Sequence, residues 1–179
     1  MDHVGKISGD EEFPYLLVIV DRATKWIEAF PCKTTPAEET AKILYEQWIS
    51  RFSVPKIIHS DKGASFQSAV FREMCRLLGI QKINTTPLAP WSNGLAENAG
   101  RIVIKVVTRF VQENPLKWRQ YLTSALFSYR TSVNASIGMS PYEAAFCLKP
   151  REPIDIHIGQ SGRTGVGIVE RIREGVTKI

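Results

Sequence analysis

The stretch Tyr15-Leu-Leu-Val-Ile-Val-Asp-Arg-Ala-Thr-Lys-Trp-Ile-Glu-Ala-Phe30 decides how this chain folds. Its first six residues form a continuous apolar run rich in branched side chains, the pattern of a strand buried on both faces. Asp21-Arg-Ala-Thr24 reads as a turn. Trp26, Ile27, Ala29 and Phe30 then read as an antiparallel neighbour, stopped by Pro31. Residues 1–7 look like the remains of a preceding strand. Three sequential strands of this kind make an antiparallel meander.

Downstream, helices and strands alternate. Thr35 reads as an N-cap, with Pro36 at the first helical position and Glu38 and Glu39 in the first turn. Ala41, Ile43, Leu44, Trp48 and Ile49 form the apolar stripe of that helix. A short strand over 56–59 leads into the loop Ser60-Asp-Lys-Gly63. A helix over 68–78 closes at Gly79, and another short strand covers 81–85. A loop bracketed by Pro87 and Pro90 runs to Asn93-Gly94. A long helix is expected over 95–112, a further helix over 118–132, and a short one opened by the capping box Ser140-Pro-Tyr-Glu143. Strands alternating with helices imply parallel crossovers. A mixed sheet covered by helices on both faces satisfies both halves of the chain.

The composition bounds the function. The chain has 179 residues, 44% hydrophobic and 23% charged, which suits one folded domain and excludes disorder as the main state. No apolar run approaches the roughly 20 residues of a membrane helix, and the acidic start has no apolar core of a secretory signal. Cys32, Cys75 and Cys147 lie too far apart for a disulfide framework or a zinc pair, so a reducing compartment is expected. Charge is unevenly spread: residues 1–46 hold 5 Lys/Arg against 9 Asp/Glu, whereas residues 47–150 hold 13 against 5. A polyanion would therefore meet the middle and later part of the chain. Five of the 12 glycines fall between Gly159 and Gly175, and 151–179 reads as a linker or the start of a C-terminal segment.

Three acids stand out. Asp61 follows a buried strand, where open α/β sheets place their ligands. Asp2 lies in or beside the first strand. Glu97 falls in the first turn of the long helix, where capping alone would explain it. Three carboxylates with no histidine or cysteine are hard oxygen ligands that suit Mg²⁺ or Mn²⁺ rather than zinc.

Thirty-five residues separate Asp61 from Glu97, and this D,D-35-E spacing resembles that of retroviral and LTR-retrotransposon integrases. The flanks are similar as well. Ile57-Ile-His-Ser-Asp-Lys-Gly63 resembles the family's segment around its second aspartate, and Thr85-Thr-Pro-Leu-Ala-Pro-Trp-Ser-Asn-Gly-Leu-Ala-Glu97 its approach to the glutamate. Val18 to Phe30 resembles the second and third strands of the Gypsy-type enzymes; Ser128-Tyr-Arg-Thr131 and Gly138-Met-Ser-Pro-Tyr-Glu143 resemble their later helices. The resemblance covers residues 1–150, the expected catalytic core. It implies an RNase H-like α/β fold with a mixed five-stranded sheet flanked by helices on both faces. It also implies Asp2, Asp61 and Glu97 as the catalytic, metal-binding triad, with two Mg²⁺ or Mn²⁺ ions when DNA is bound. Asp21 is not carried over and reads as a turn residue.

The activity implied is processing of DNA 3′ ends and their joining to target DNA by two-metal phosphoryl transfer. Arg101 and Lys105 lie four and eight residues after Glu97, on roughly one helix face. With Lys62, Ser92 and Asn93 they are the expected DNA contacts. The family acts as multimers, so a homo-oligomer working on element ends and chromosomal target DNA in the nucleus is expected, with a cytoplasmic particle stage, no membrane and no small-molecule cofactor. The sequence also departs from the family. Only Met1 precedes Asp2, so the first strand is expected to be cut short, and the family's zinc domain and C-terminal DNA-binding domain have no counterpart. Gly100 and Trp91 stand where asparagine and glutamine are common. The competing reading is a domesticated or inactive module that binds nucleic acid through the same fold. His59 is expected to be structural, and the sequons at Asn84 and Asn134 are expected to be chance.

Overall fold

The computed structural model describes residues 1–5, 10–84, 101, 102, 105 and 118–151. Strands β1 (Asp2–Val4), β2 (Tyr15–Val20) and β3 (Ile27–Cys32) form an antiparallel sheet in the order β1-β2-β3, the expected meander. Helix α1 (Ala37–Ile43) runs on through a π-helical stretch (Leu44–Ile49) and α2 (Ser50–Phe52). Then come β4 (Ile57–Ser60), α3 (Ala64–Gln67), α4 (Ala69–Leu77) and β5 (Gln81–Asn84). Strands β4 and β5 pair in parallel, the expected crossover. Helices α5 (Trp118–Thr131) and α6 (Pro141–Phe146) follow. The expected helix over 95–112 lies outside the described residues, except that Arg101, Ile102 and Lys105 are helical.

The apolar run of β2 is continuous because both of its faces are covered. Leu17 and Ile19 pack with Ala41, Leu44, Trp48, Ile58, Phe66 and Phe71 on one side. Leu16 and Val18 pack with Ile27, Ala29, Trp118, Leu122 and Leu126 on the other. The side-chain alternation of a strand thus feeds two cores at once. Among the described residues no helix is long and apolar enough to cross a membrane.

Several boundaries differ from expectation. Pro31 does not stop β3, which continues to Cys32 with Pro31 opposite Leu16. Among the described strands β3 bonds only β2, and an edge strand tolerates a residue without an N–H. Thr35 is not the cap: Pro36 occupies the N-cap in extended conformation, its carbonyl accepting the Thr40 N–H at 3.1 Å. Because Pro36 is itself extended, with ψ 156°, the helix starts one residue later. The helix expected over 68–78 is preceded by the separate turn α3, and extended Ser68 caps α4 by accepting the Phe71 N–H at 3.1 Å. Gly79 adopts φ +65° as expected, and Ser140 and Glu143 form the reciprocal capping box.

Two buried acids tie helix α5 to the sheet. Glu28 on β3 is nearly inaccessible, and Arg130 reaches its Oε2 at 2.8 Å while donating to the Ile27 carbonyl from Nε at 2.9 Å and Nη2 at 2.7 Å. The guanidinium also lies 4.4 Å from the Trp26 ring centre. One side chain therefore covers part of the β3 edge. Asp10 is the second anchor, with a side chain 4% exposed. Its Oδ1 accepts the N–H groups of Glu12 (3.1 Å) and Phe13 (2.9 Å), and its Oδ2 accepts the Trp118 indole N–H at 2.8 Å and meets Arg119 Nε at 3.0 Å.

Burial pushes the Asp10 carboxyl pKa up. The Phe13 and Trp118 hydrogen bonds, Arg119 and the Glu12 amide outweigh that and leave it below the ordinary carboxylate value. A carboxyl depressed in the native state adds stability above its unfolded pKa and loses it as pH falls through the native one. In Asp10→Asn, one oxygen can still accept the two backbone amides, but an NH₂ now faces two donors. Its unfolding free energy in urea at pH 7 should fall by about 2–3 kcal/mol. The gap to wild type should narrow on acidification below about pH 4.

Candidate metal centre at the sheet end

The two described sheets meet at one hydrogen bond. The Met1 nitrogen donates to the His59 carbonyl at 2.6 Å, setting the start of β1 beside the C-terminal end of β4. Asp2 is the next residue along from Met1, and Asp61 lies two beyond His59. Both expected ligands therefore sit at the same end of the sheet. Their electrostatics agree: burial lowers the Met1 α-amino pKa to about 6, and Asp2 and Asp61 both act on it in the opposite direction. Glu97, Ser92 and Asn93 lie outside the described residues. Among the described residues no group of three or more His, Cys, Asp or Glu side chains could hold a metal.

The local sequence holds Asp61 in place. Its Oδ1 accepts the Gly63 N–H at 2.9 Å, an Asx turn that leaves Oδ2 for other partners. Gly63 leaves room for the Asp61 carboxylate: its φ is −53°, open to any residue, but a Cβ there would lie 2.9 Å from Asp61 Oδ1, so the carboxylate would have to move. Beneath, fully buried Ser60 donates its hydroxyl to the Asp61 carbonyl at 3.0 Å.

His3 follows Asp2, and His59 lies two residues before Asp61. Thr40 Oγ1 gives its single proton to the Pro36 carbonyl at 2.9 Å, so the 3.1 Å contact with His3 must be donated by His3 Nε2. The His3 ring also stacks on Phe66, with centres 5.0 Å apart. Burial lowers the His3 pKa to about 4, against the opposing pull of Asp61. Burial, then Arg22 and the Met1 α-amino group, lower that of His59. Among the described residues the buried Nδ1 atoms of both rings have no hydrogen-bond partner.

The other expected residues sort by exposure. Lys62, Arg101 and Lys105 are exposed, the last two on helical backbone. Asp21 is a turn residue as expected, its Oδ2 accepting Thr24 N–H (3.0 Å) and O–H (2.6 Å). Neither Cys32 nor Cys75 has the setting of a nucleophile: burial pushes the Cys32 thiol up to about 11 and raises that of Cys75. The chemistry left to this end of the sheet is that of carboxylate oxygens, which fit a hard divalent cation. Sequence reasoning missed the contribution of Gly63. The Asp-Lys-Gly order carried that signal, since a carboxylate two residues before a glycine is an Asx-turn pattern.

Comparison with known proteins is consistent with this geometry. The family model described as "Integrase core domain" matches residues 1–90. The Gag-Pol polyprotein of baboon endogenous virus (strain M7) is 37% identical over 135 residues, which are 75% of this chain and 8% of that protein. The chain thus spans about a tenth of the length of the curated relatives it matches. Among solved structures, a simian T-cell lymphotropic virus intasome in complex with PP2A regulatory subunit B56 gamma superposes with TM-score 0.68 at 24% identity, over 85% of this chain and 55% of that one. The HTLV-2 integrase catalytic core domain, in complex with magnesium in a trimeric form, gives TM-score 0.64 at 21% identity, over 79% and 92%. These likenesses carry an RNase H-like α/β fold.

The Asx turn yields a test. Gly63→Ala should leave the far-ultraviolet circular dichroism unchanged but displace the Asp61 carboxylate. Mn²⁺ affinity measured by calorimetry should fall roughly tenfold, within the range that small ligand displacements cost. Unchanged affinity would mean that the turn does not set the carboxylate.

Proposed function

For a chain that belongs to the integrase core domain family, we propose DNA 3′-end processing and strand joining, with Asp2, Asp61 and Glu97 as the carboxylates that hold divalent cations. The observation that carries this reading is the arrival of Asp2 and Asp61 at one end of the sheet, beside the Met1–His59 hydrogen bond. When bound, Mg²⁺ or Mn²⁺, two ions with DNA in place, supplies charge neutralisation at phosphorus and activation of the attacking oxygen. The magnesium complex of the similar HTLV-2 core supports the choice of metal. The chain's own contribution is positioning. Gly63 orients Asp61 through its N–H. Lys62, Arg101 and Lys105, all exposed, are assigned to backbone phosphates, and the family resemblance assigns Ser92 and Asn93 to the DNA ends.

The same reading joins the two described sheets into one of five strands in the order β3-β2-β1-β4-β5, supported by the hydrogen bond between β1 and β4. It assigns residues 1–150 to the catalytic core and 151–179 to a linker or C-terminal segment. It places the reaction on chromosomal DNA in the nucleus, with a cytoplasmic particle stage. It also makes the working form a homo-oligomer, in keeping with the trimeric form and the intasome among the similar structures.

The test is a joining assay on labelled duplex ends with Mn²⁺ or Mg²⁺, using this chain and a form extended before Met1. Asp61→Asn and Glu97→Gln should each reduce joining by at least about a thousandfold while DNA binding persists. Equal behaviour of wild type and Asp61→Asn, with DNA binding retained in both, would instead favour an inactive binding module.

A further inference from the structure

Beside the carboxylates, one strand further along the sheet, three polar side chains converge. Asn84 ends β5 and pairs in register with Ser60, the residue before Asp61. Lys82 lies two residues earlier, on the same face of β5. Gln67 ends α3, the short helix that begins just after the Asp61 turn. Gln67 donates from Nε2 to Asn84 Oδ1 at 2.6 Å, and the Lys82 ammonium donates to the same oxygen at 2.5 Å.

The chemistry of lysine fixes the orientation of the whole group. An ammonium has donors and no acceptor, so the Asn84 atom it touches must be the oxygen. The Gln67 atom on that oxygen must then be its NH₂. Both lone-pair positions of Asn84 Oδ1 are used, and the Asn84 NH₂ is left facing away from them. What the cluster still offers is almost entirely N–H: two protons on Asn84 Nδ2, two on Lys82, one on Gln67, against the single Gln67 oxygen. Among the described residues no carboxylate is ion-paired with Lys82. Asp61 lies within its electrostatic reach, and burial of the lysine stem lowers the ammonium pKa. Asn84 is exposed, and Lys82 and Gln67 are half-buried, so the donors are both held and accessible.

We infer that Lys82, Asn84 and Gln67 form a phosphate-binding site for a nucleic-acid backbone, one strand away from the metal-binding carboxylates. A fixed group of N–H donors with one positive charge complements the oxygens of a phosphodiester. Its place beside Asp61 suits a phosphate neighbouring the one that reacts, so the site sets the register of the duplex rather than its sequence. The inference rests on the proposed action on DNA.

Asn84→Asp separates this role from a structural one. A carboxylate still accepts from Gln67 and Lys82, so the tie between α3 and β5 survives and thermal stability should hold or rise. The two outward donors disappear and a negative charge replaces them. In fluorescence anisotropy with a labelled duplex in EDTA, Asn84→Asp should bind roughly tenfold more weakly than wild type. Lys82→Met, which keeps the stem, should reduce the slope of log affinity against log salt by about 1, and Lys82→Arg should restore it. If wild type binds the duplex and folded Asn84→Asp binds equally well, the cluster is a structural tie and the inference is overturned while the proposed function stands. If wild type itself shows no salt-sensitive binding, both are overturned.

Discussion

The arrangement depends on one contact, the Met1 nitrogen against the His59 carbonyl. An antiparallel sheet and a parallel pair are built separately from local sequence. Neither alone brings two acids together. Joined at that point, the first strand presents Asp2 beside the turn that carries Asp61. Like charges of this kind repel unless a cation or surrounding donors compensate; the Gly63 amide meets one Asp61 oxygen, and the Met1 α-amino group interacts with both acids. The proposed function assigns to a divalent cation the role of compensating them.

The rest of the molecule keeps that end in place. Strand β2 is buried on both faces, so a slip of one residue would exchange the sets of side chains feeding the two cores. Register is therefore strongly specified, and Asp2 is held opposite Val18. The buried acids do related work at the far side. Asp10 fastens the stretch before β2 to Trp118, and Glu28 fastens β3 to Arg130. Both bring α5 onto the sheet and leave the opposite face to α1 and α4. His3 acts between these regions, its ring packed on Phe66 and bonded to Thr40.

Much of this was legible in the sequence because the deciding signals are local. The apolar run of β2, the Ser140 capping box and the Gly79 terminator each act within a few residues and appear where expected. Asp61 stood out as a candidate because an acid at the end of a buried strand is seldom needed for folding, and because its distance from Glu97 can be counted. The start of α1 differs by one residue because Pro36 is itself extended rather than helical, which no local pattern announces. Pro31 was misread because whether a strand is an edge is a tertiary fact. The ties from Asp10 to Trp118 and from Glu28 to Arg130 span more than a hundred residues, and no local pattern announces such a pair. The donor cluster at Asn84 stayed hidden for the same reason: it draws on a helix end and a strand end that meet only in the folded chain.

The central claim is that Asp2 and Asp61 share a divalent cation. Crystals of this chain soaked in Mn²⁺ and measured for anomalous scattering would test it most directly. The account predicts a manganese peak bridging the two carboxylates, with oxygen ligands at about 2.0–2.3 Å and Glu97 drawn in beside them. A well-ordered map with Asp2 and Asp61 turned apart, or with manganese bound only elsewhere on the surface, would contradict it.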